Sequence, residues 1–320
     1  MDYYKYLNRY FVYPLYYWKN KDKRLSRLSL LEKQQYLSKK ELQDLQLSQA
    51  QDIIKYAYDH TEYYRSLLDS LGLKPEDIKT LKDLEKIPPL TKQDIQYHGD
   101  TMISDEYRKE DLIKDSSGGS TGEPTIFYKS LQYHQMRPAD QLRHDQWSGW
   151  KLGDRIGLIW GAQRDLKAAQ SIKEFILSRY IARIWELDAF EMSPEKMRDY
   201  VKTLEKIKPS MILGYANALV QFTEFLLKEC PDHKIRPKGI ISSAETLTSA
   251  KRERIESAFK CQVYNRYGSR EVGLIASECE HQKGLHINAD NLLVEVTKNG
   301  KGVEVGECGD ILITDFHNKS

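Results

Sequence analysis

Hydrophobic and polar positions change period along the chain. From Leu30 to Leu71 apolar residues recur at helical spacing, and Ala50, Ile53, Ile54 and Ala57 fall at i, i+3, i+4 and i+7 on one face. Gly72 is a natural stop, because glycine enters left-handed backbone without a steric penalty. The stretch LKPEDIKTLKDLEKIPPLTKQDI then reads as short helical turns punctuated by Pro75, Pro88 and Pro89. Up to about residue 100 the chain predicts a helical, charged lead-in.

The middle of the chain alternates. DRIGLIWG reads as a buried strand, DLKAAQSIKEFILSRY as a helix and ARIWELDAF as a second strand. Ser193 is placed to cap a helix with Pro194 at its first position, and Met197, Tyr200, Val201 and Leu204 form its apolar stripe before Pro209. SMILGY, KGIISSAE and CQVYNRYG follow as strands, separated by a helix from Ala218 to Lys228 and another capped by Thr248. From Gly273 the helical period vanishes, and GLIAS, GLHIN, LLVEVTK and DILITDF read as short strands of a meander. The expected architecture is α/β, with parallel sheets covered by helices, a helical amino-terminal lead-in and a β-rich carboxyl end. The regions are 1–100 (helical, packed on the main domain), 101–272 (α/β core) and 273–320 (β-rich).

Composition narrows the partners. With 49 basic against 47 acidic residues the net charge is +2, which creates no global field for nucleic acid and favours small molecules. The four cysteines are widely spaced with no C-x-x-C pair, so a disulfide framework is not expected and a reducing cytoplasm is. The amino terminus, MDYYKYLNRYFVYPLYYWKNKDKRL, is neither a signal peptide nor a transmembrane segment. Its tyrosines, followed by Lys19, Lys21, Lys23 and Arg24, leave two readings: contact with a membrane surface or, preferred, an amphipathic helix packed on its own domain.

In α/β sheets, ligands sit in loops at the carboxyl ends of strands. Three loops stand out: KDSSGGSTGEPT, SSAET after KGII, and YGSREVG after CQVYNR. Glycines let backbone N–H groups approach an anion while Ser and Thr hydroxyls add donors, so the first loop suits a polyphosphate. It fails both the Walker pattern, which puts Glu123 or Pro124 where a second glycine is required, and the dinucleotide pattern G-x-G-x-x-G.

SSGGSTGEPT resembles the phosphate loop [ST]-[ST]-G-x-[ST]-T-G-x-P of the adenylate-forming (acyl-CoA synthetase) superfamily, and YGSRE resembles its Y-G-x-T-E motif. The lead-in YAYDHTEYYRSLLDSLG and the trailing ECEHQKGLHI are similar to the phenylacetate-CoA ligase branch, especially relatives from capsular polysaccharide biosynthesis. The resemblance implies that Ser116, Ser117, Gly118, Gly119, Ser120, Thr121 and Gly122 cradle the phosphates of ATP. It implies that Ser242, Ser243, Ala244 and Glu245 contact adenine, and that Tyr267, Gly268 and Ser269 line the nucleotide and acyl pocket. Glu271 would hold Mg²⁺, and Glu271 and Thr121 are the implied catalytic residues. The implied activity is that of an acid–thiol ligase: a carboxylic acid and ATP give an acyl-adenylate and pyrophosphate, and coenzyme A or another acceptor then captures the acyl group. The acid pocket is expected from WGAQRD (Trp160 to Asp165), GYANAL (Gly214 to Leu219) and the Tyr267 region, with Arg164 paired either to the substrate carboxylate or to Asp165.

Three departures qualify this. Glu123 stands where many members of the superfamily carry Lys, and Arg270 stands where Thr is usual; Arg270 either restores the positive charge or marks altered chemistry. GDILITDFHNKS resembles the segment before the family's hinge, so the small carboxyl-terminal domain and its lysine are expected to be absent, giving a nucleotide-binding large domain with weak or no turnover. That domain supplied in trans, and a homodimer, are open partners. Cys279, His286 and Cys308 are of the right kind for zinc, against the reading of isolated thiols and a satisfied histidine. Two rivals stay open: a non-catalytic nucleotide- or partner-binding module, and an ATP-independent transfer protein of capsule assembly.

Overall fold

The computed structural model describes residues 2–117, 124–161, 172–298 and 300–320. The chain divides into two compact units, each assembled from separated segments. The first comprises Met1–Leu25, Ala139–Gly268 and Ala276–His286; the second comprises Ser26–Pro138, Ser269–Ile275 and Ile287–Ser320.

A seven-stranded sheet has most of its strands in the first unit. Its strands are β3 (Ile156–Trp160), β4 (Ile184–Asp188), β5 (Met211–Tyr215), β6 (Gly239–Ser243), β7 (Gln262–Ser269), β8 (Gly273–Ser277) and β9 (His286–Ile287), in the order β4-β3-β5-β6-β7-β8-β9. The pairs from β4 to β7 are parallel. The order reverses at β3, whose successor β4 lies on one side of it while β5 lies on the other, so the β3–β5 crevice is a topological switch point.

The connecting helices form as their sequences dictate. Ser193 accepts a hydrogen bond from the Lys196 amide ahead of Pro194–Ile207, and Thr248 does the same for Lys251 ahead of Ser249–Phe259. Met197, Tyr200, Val201, Leu204 and Ile207 are all buried, and with Ile159, Leu219, Phe222, Ile240 and Phe259 they form one apolar core. Each such side chain contributes about 1.5–3 kcal/mol through burial. The amino-terminal helical turns Tyr4–Leu7, Asn8–Val12 and Tyr13–Lys19 run on without a break and pack against this unit. Gly153 permits the contact: its φ is +86°, and a Cβ there would lie 2.4 Å from the Lys5 carbonyl oxygen.

In the second unit the predicted long helical stretch is three helices, Arg24–Gln34, Lys39–His60 and Glu62–Ser70, the first beginning just before the unit boundary. Ser38 and Glu41 form a capping box at one break, and Thr61 caps the helix after the other. Ala50, Ile54, Leu68, Ile78, Leu84 and Phe316 form the core of this unit. A hairpin pairs β1 (Ile113–Ser116) with β2 (Ile126–Lys129), and an antiparallel sheet has the order β11 (Lys301–Gly302), β10 (Leu292–Lys298), β12 (Asp310–Asp315). The β-rich carboxyl end is thus shared between two sheets rather than forming one meander.

Candidate active site

In the second unit, the Ser/Gly loop spans the β1–β2 hairpin. Its base is closed by two hydrogen bonds, Ser117 N–H to the Thr125 carbonyl and Thr125 N–H to the Ser117 hydroxyl, both 2.9 Å. Ser117 thus spends its hydroxyl as an acceptor in closing the loop, while Ser116 is the last residue of β1. Gly118, Gly119, Ser120, Thr121 and Gly122 lie outside the described residues.

Ser269, Arg270 and Glu271 of the YGSRE motif lie in the same unit as this hairpin. Lys129, 2% exposed, donates to the Asp115 carboxylate at 2.7 Å and to the Arg270 carbonyl at 2.8 Å. The other Asp115 oxygen accepts the Ser116 amide at 2.8 Å and faces the Arg270 guanidinium at 3.4 Å. Arg137 adds a second clamp, reaching the Arg270 carbonyl at 3.2 Å. It also fills the space a side chain at Gly273 would need: a Cβ there would lie 2.6 Å from the guanidinium, and φ is +82°. Ser269 accepts the Val272 amide and completes the turn that carries Glu271, which is half-buried.

The charges on this turn are interdependent. Burial pushes the Lys129 ammonium below its ordinary value, against the hydrogen bond and charge of Asp115 and the charge of Glu271. Burial also raises the Asp115 carboxyl, but hydrogen bonds from Lys129 and the Ser116 amide, with the Lys129 and Arg270 charges, leave it below the usual carboxylate range. Asp115 is therefore saturated by cations, and Glu271 is the carboxylate of this turn suited to a hard cation. Mg²⁺ needs no more than one or two protein carboxylates when phosphate oxygens and water complete its octahedron, so Glu271 fits that role.

In the first unit, the SSAE motif leaves the carboxyl end of β6. Ser242 is fully buried, and its hydroxyl has no hydrogen-bond partner among the described residues. Ser243 ends the strand, and Ala244 follows at φ +67°, a left-handed conformation that costs a Cβ-bearing residue about 1–2 kcal/mol. Strain of this kind clusters at functional loops. Glu245 does not serve the helix that follows it. Its carboxylate accepts the Asn217 amide at 2.6 Å and the Asn217 side chain at 3.0 Å, capping the amino end of helix Ala216–Glu229. Lys251 closes the set by donating to the Asn217 side-chain oxygen at 2.8 Å.

Trp160 at the end of β3 and Tyr215 at the end of β5 lie at the switch point, ring centroids 4.0 Å apart, with Phe190 6.4 Å from Tyr215. Of the expected acid pocket, Trp160, Gly161 and Gly214 to Leu219 are described, whereas Arg164 and Asp165 lie outside the described residues. Tyr267 and Gly268 are exposed at the end of β7, just after Arg266, which is buried against Asp145.

Two of the three expected zinc ligands, Cys279 and His286, lie in the first unit. His286 Nε2 lies 3.1 Å from Cys279 Sγ, with Trp147 edge-on to the imidazole. Among the described residues no three His, Cys, Asp or Glu side chains gather as a metal set. The sequence reading also passed over Asp115, Lys129 and Arg137, which hold the Glu271 turn. The signal for the first pair was a hairpin with opposite charges on one face: Ile113 pairs with Lys129, making Asp115 and Lys129 diagonal neighbours.

No protein-family model matches the chain. It is similar to the protein CapK of Staphylococcus aureus, 28% identical over 279 residues, covering 87% of this chain and 60% of that one. It is also similar to the phenylacetate-coenzyme A ligase of Thermus thermophilus, 25% identical over 297 residues, covering 87% and 62%. The chain thus spans about 60% of the length of these curated relatives. Among solved structures, a 2-hydroxyisobutyryl-CoA ligase in complex with 2-HIB-AMP and CoA superposes with a TM-score of 0.71 at 19% identity, over 89% of this chain and 62% of that one. With the three motifs in their expected order and the sheet in place, these likenesses support the adenylate-forming superfamily and, within it, the branch of CapK and the phenylacetate-coenzyme A ligases.

Proposed function

We propose that this chain binds ATP with Mg²⁺ and activates a carboxylic acid as its acyl-adenylate, for transfer to coenzyme A or another acceptor in the cytoplasm. A carboxylate oxygen attacks the α-phosphorus, the bond to the β-phosphate breaks and pyrophosphate leaves. An acceptor such as a thiol then attacks the acyl carbon and AMP departs. The observation that carries this reading is the tie between the Ser/Gly hairpin and the Glu271 turn through Asp115, Lys129 and Arg270. It couples a loop suited to phosphate with the carboxylate suited to its counter-cation.

Each residue then has a task. The loop from Ser116 to Gly122 presents donors to the phosphates, and Glu271 holds the cation beside them. Bound there, Mg²⁺ offsets negative charge on the phosphates. Lys129 and Arg137 fix the turn by its carbonyls and so orient Glu271. Ser243, Ala244, Glu245 and Tyr267 to Ser269 are assigned to the nucleotide, and Trp160 and Tyr215 to the body of the acid.

Because the chain spans about 60% of its relatives' length, the test reads binding rather than turnover. Titration calorimetry with ATP and Mg²⁺ is expected to show saturable binding, abolished in Ser120→Ala/Thr121→Ala and stripped of its Mg²⁺ dependence in Glu271→Gln. Binding that survives the loop changes, or no binding by the unaltered chain, defeats the proposal.

A further inference from the structure

The amino-terminal helix is only half used by the fold. Asn8, Tyr13 and Tyr17 are buried against the first unit, but Leu7 (50%), Phe11 (66%), Leu15 (62%) and Trp18 (76%) are exposed. Their spacing of three to four residues is close to the helical repeat, which sets them along one side. A second helix lies beside it. Tyr4 and Asn8 donate to the Tyr180 carbonyl at 3.0 and 2.8 Å. That helix runs through Ile172–Ile176 and the π-helical Leu177–Ala182, and it too exposes Ile172, Phe175, Ile176 and Tyr180. Two adjoining helices of one unit thus present large apolar and aromatic side chains to solvent, the mark of a contact surface rather than of scattered exposure.

We propose that this surface docks on an anionic lipid bilayer. The charges around it select that occupant. Residues 2–24 hold six Lys or Arg against two Asp, and both acids are already paired within the unit: Asp2 with Arg183 at 2.7 Å and Arg155 at 3.3 Å, Asp22 with Arg24 at 2.8 Å. Lys19, Lys21 and Lys23 stand exposed at the end of the helix that carries Trp18. On the second helix Glu174 is flanked by Lys173 and followed by Arg179. A two-fold contact with a second copy would set lysine rim against lysine rim without acids to answer them. An anionic headgroup layer answers them directly, while Tyr and Trp suit the depth between headgroups and acyl chains. No helix among the described residues is long and apolar enough to cross a membrane, so the contact is with the bilayer surface.

The test is flotation of the full chain with vesicles of phosphatidylcholine, with and without phosphatidylglycerol, at low and high salt. Alongside run Phe11→Ser/Trp18→Ser and Lys19→Glu/Lys21→Glu, each checked for unchanged thermal unfolding. The expected result is flotation with the anionic vesicles alone, weakened by salt, and at least about tenfold weaker partitioning for either variant. If the apolar variant does not fold, the lysine variant decides, since it alters only exposed side-chain ends. Equal partitioning onto neutral vesicles, or no flotation, overturns the proposal. So does a concentration-dependent dimer in sedimentation velocity that Phe11→Ser/Trp18→Ser abolishes while vesicles capture nothing, which would assign the face to a second copy.

Discussion

Lys129 donates its ammonium to the Arg270 carbonyl at 2.8 Å across 141 positions of sequence, joining the base of the Ser/Gly loop to the turn that carries Glu271. The same ammonium neutralises the partly buried Asp115. Replacing Lys129 by Met keeps the aliphatic stem but leaves Asp115 without its main partner and the Arg270 carbonyl with the longer bond from Arg137. Removing one member of such a pair costs about 3 kcal/mol. Urea denaturation is expected to show that loss for Lys129→Met and a smaller one for Lys129→Met/Asp115→Asn. A double variant no more stable than the single one would mean that Asp115 does not depend on Lys129.

The second unit carries a pH response of its own. Burial, with the positive charge of Arg27, depresses His317 from an ordinary 6.5 to about 4. The Arg27 guanidinium lies 3.0 Å from Nε2, a position that suits a neutral ring accepting there. In the unfolded chain the imidazole takes up its proton from pH 6.5 downward, while in the folded chain it stays neutral to about 4. The unfolded state therefore binds more protons across that window, and stability falls as pH drops from 6.5 to 4. The depression corresponds to roughly 3 kcal/mol. His317→Gln is expected to flatten the slope of unfolding free energy between pH 6.5 and 4 relative to the unaltered chain. An unchanged slope would show that other groups set the acid limb.

These two networks also show what a sequence can and cannot disclose. The strand–helix alternation was legible because each element carries its own signal, as in the stripe from Met197 to Leu204 behind the Ser193 cap. The order of the three motifs was legible for the same reason. The partners of Glu245 and Lys129 were not, since both reach residues set by sheet register: Glu245 reaches across from β6 to the helix after β5, and Lys129 reaches diagonally across a hairpin. Charged residues near a loop look alike in sequence whether they hold a ligand or the loop itself. The split of the final strands between two sheets was hidden likewise, because alternation marks a strand but not its neighbour.

Glu245 is where holding the loop and holding the ligand part company. As a cap on helix Ala216–Glu229 it is worth about 1 kcal/mol, so Glu245→Ala is expected to lower stability by that amount. Glu245→Gln keeps one carbonyl oxygen for the Asn217 amide and should recover most of it. Nucleotide affinity, read by calorimetry on the same proteins, separates the roles. Recovery of affinity with stability in Glu245→Gln marks a positioning residue, whereas affinity lost with stability intact marks direct contact with the nucleotide.

The close ring pair of Trp160 and Tyr215 occupies a crevice of the sheet where the strand order reverses, and in open α/β sheets such a crevice is where ligands enter. Both rings end parallel strands, so their positions are fixed by backbone pairing on either side: β3 by β4 and β5, and β5 by β3 and β6. A rigid aromatic wall of this kind discriminates by shape and apolar area rather than by charge, which fits the non-reacting body of a carboxylic acid better than a triphosphate. Removing Trp160 takes away one face of the stack, an effect of about 1 kcal/mol beyond area burial, and the lost contact area adds to it. Trp160→Ala is therefore expected to weaken binding of an apolar carboxylic acid, titrated in the presence of ATP and Mg²⁺, by about tenfold or more, while ATP affinity stays within about twofold. Glu271→Gln is expected to do the reverse. Should Trp160→Ala weaken ATP and acid alike, the wall belongs to the nucleotide or to the fold as a whole, and the acid must be sought elsewhere on the sheet.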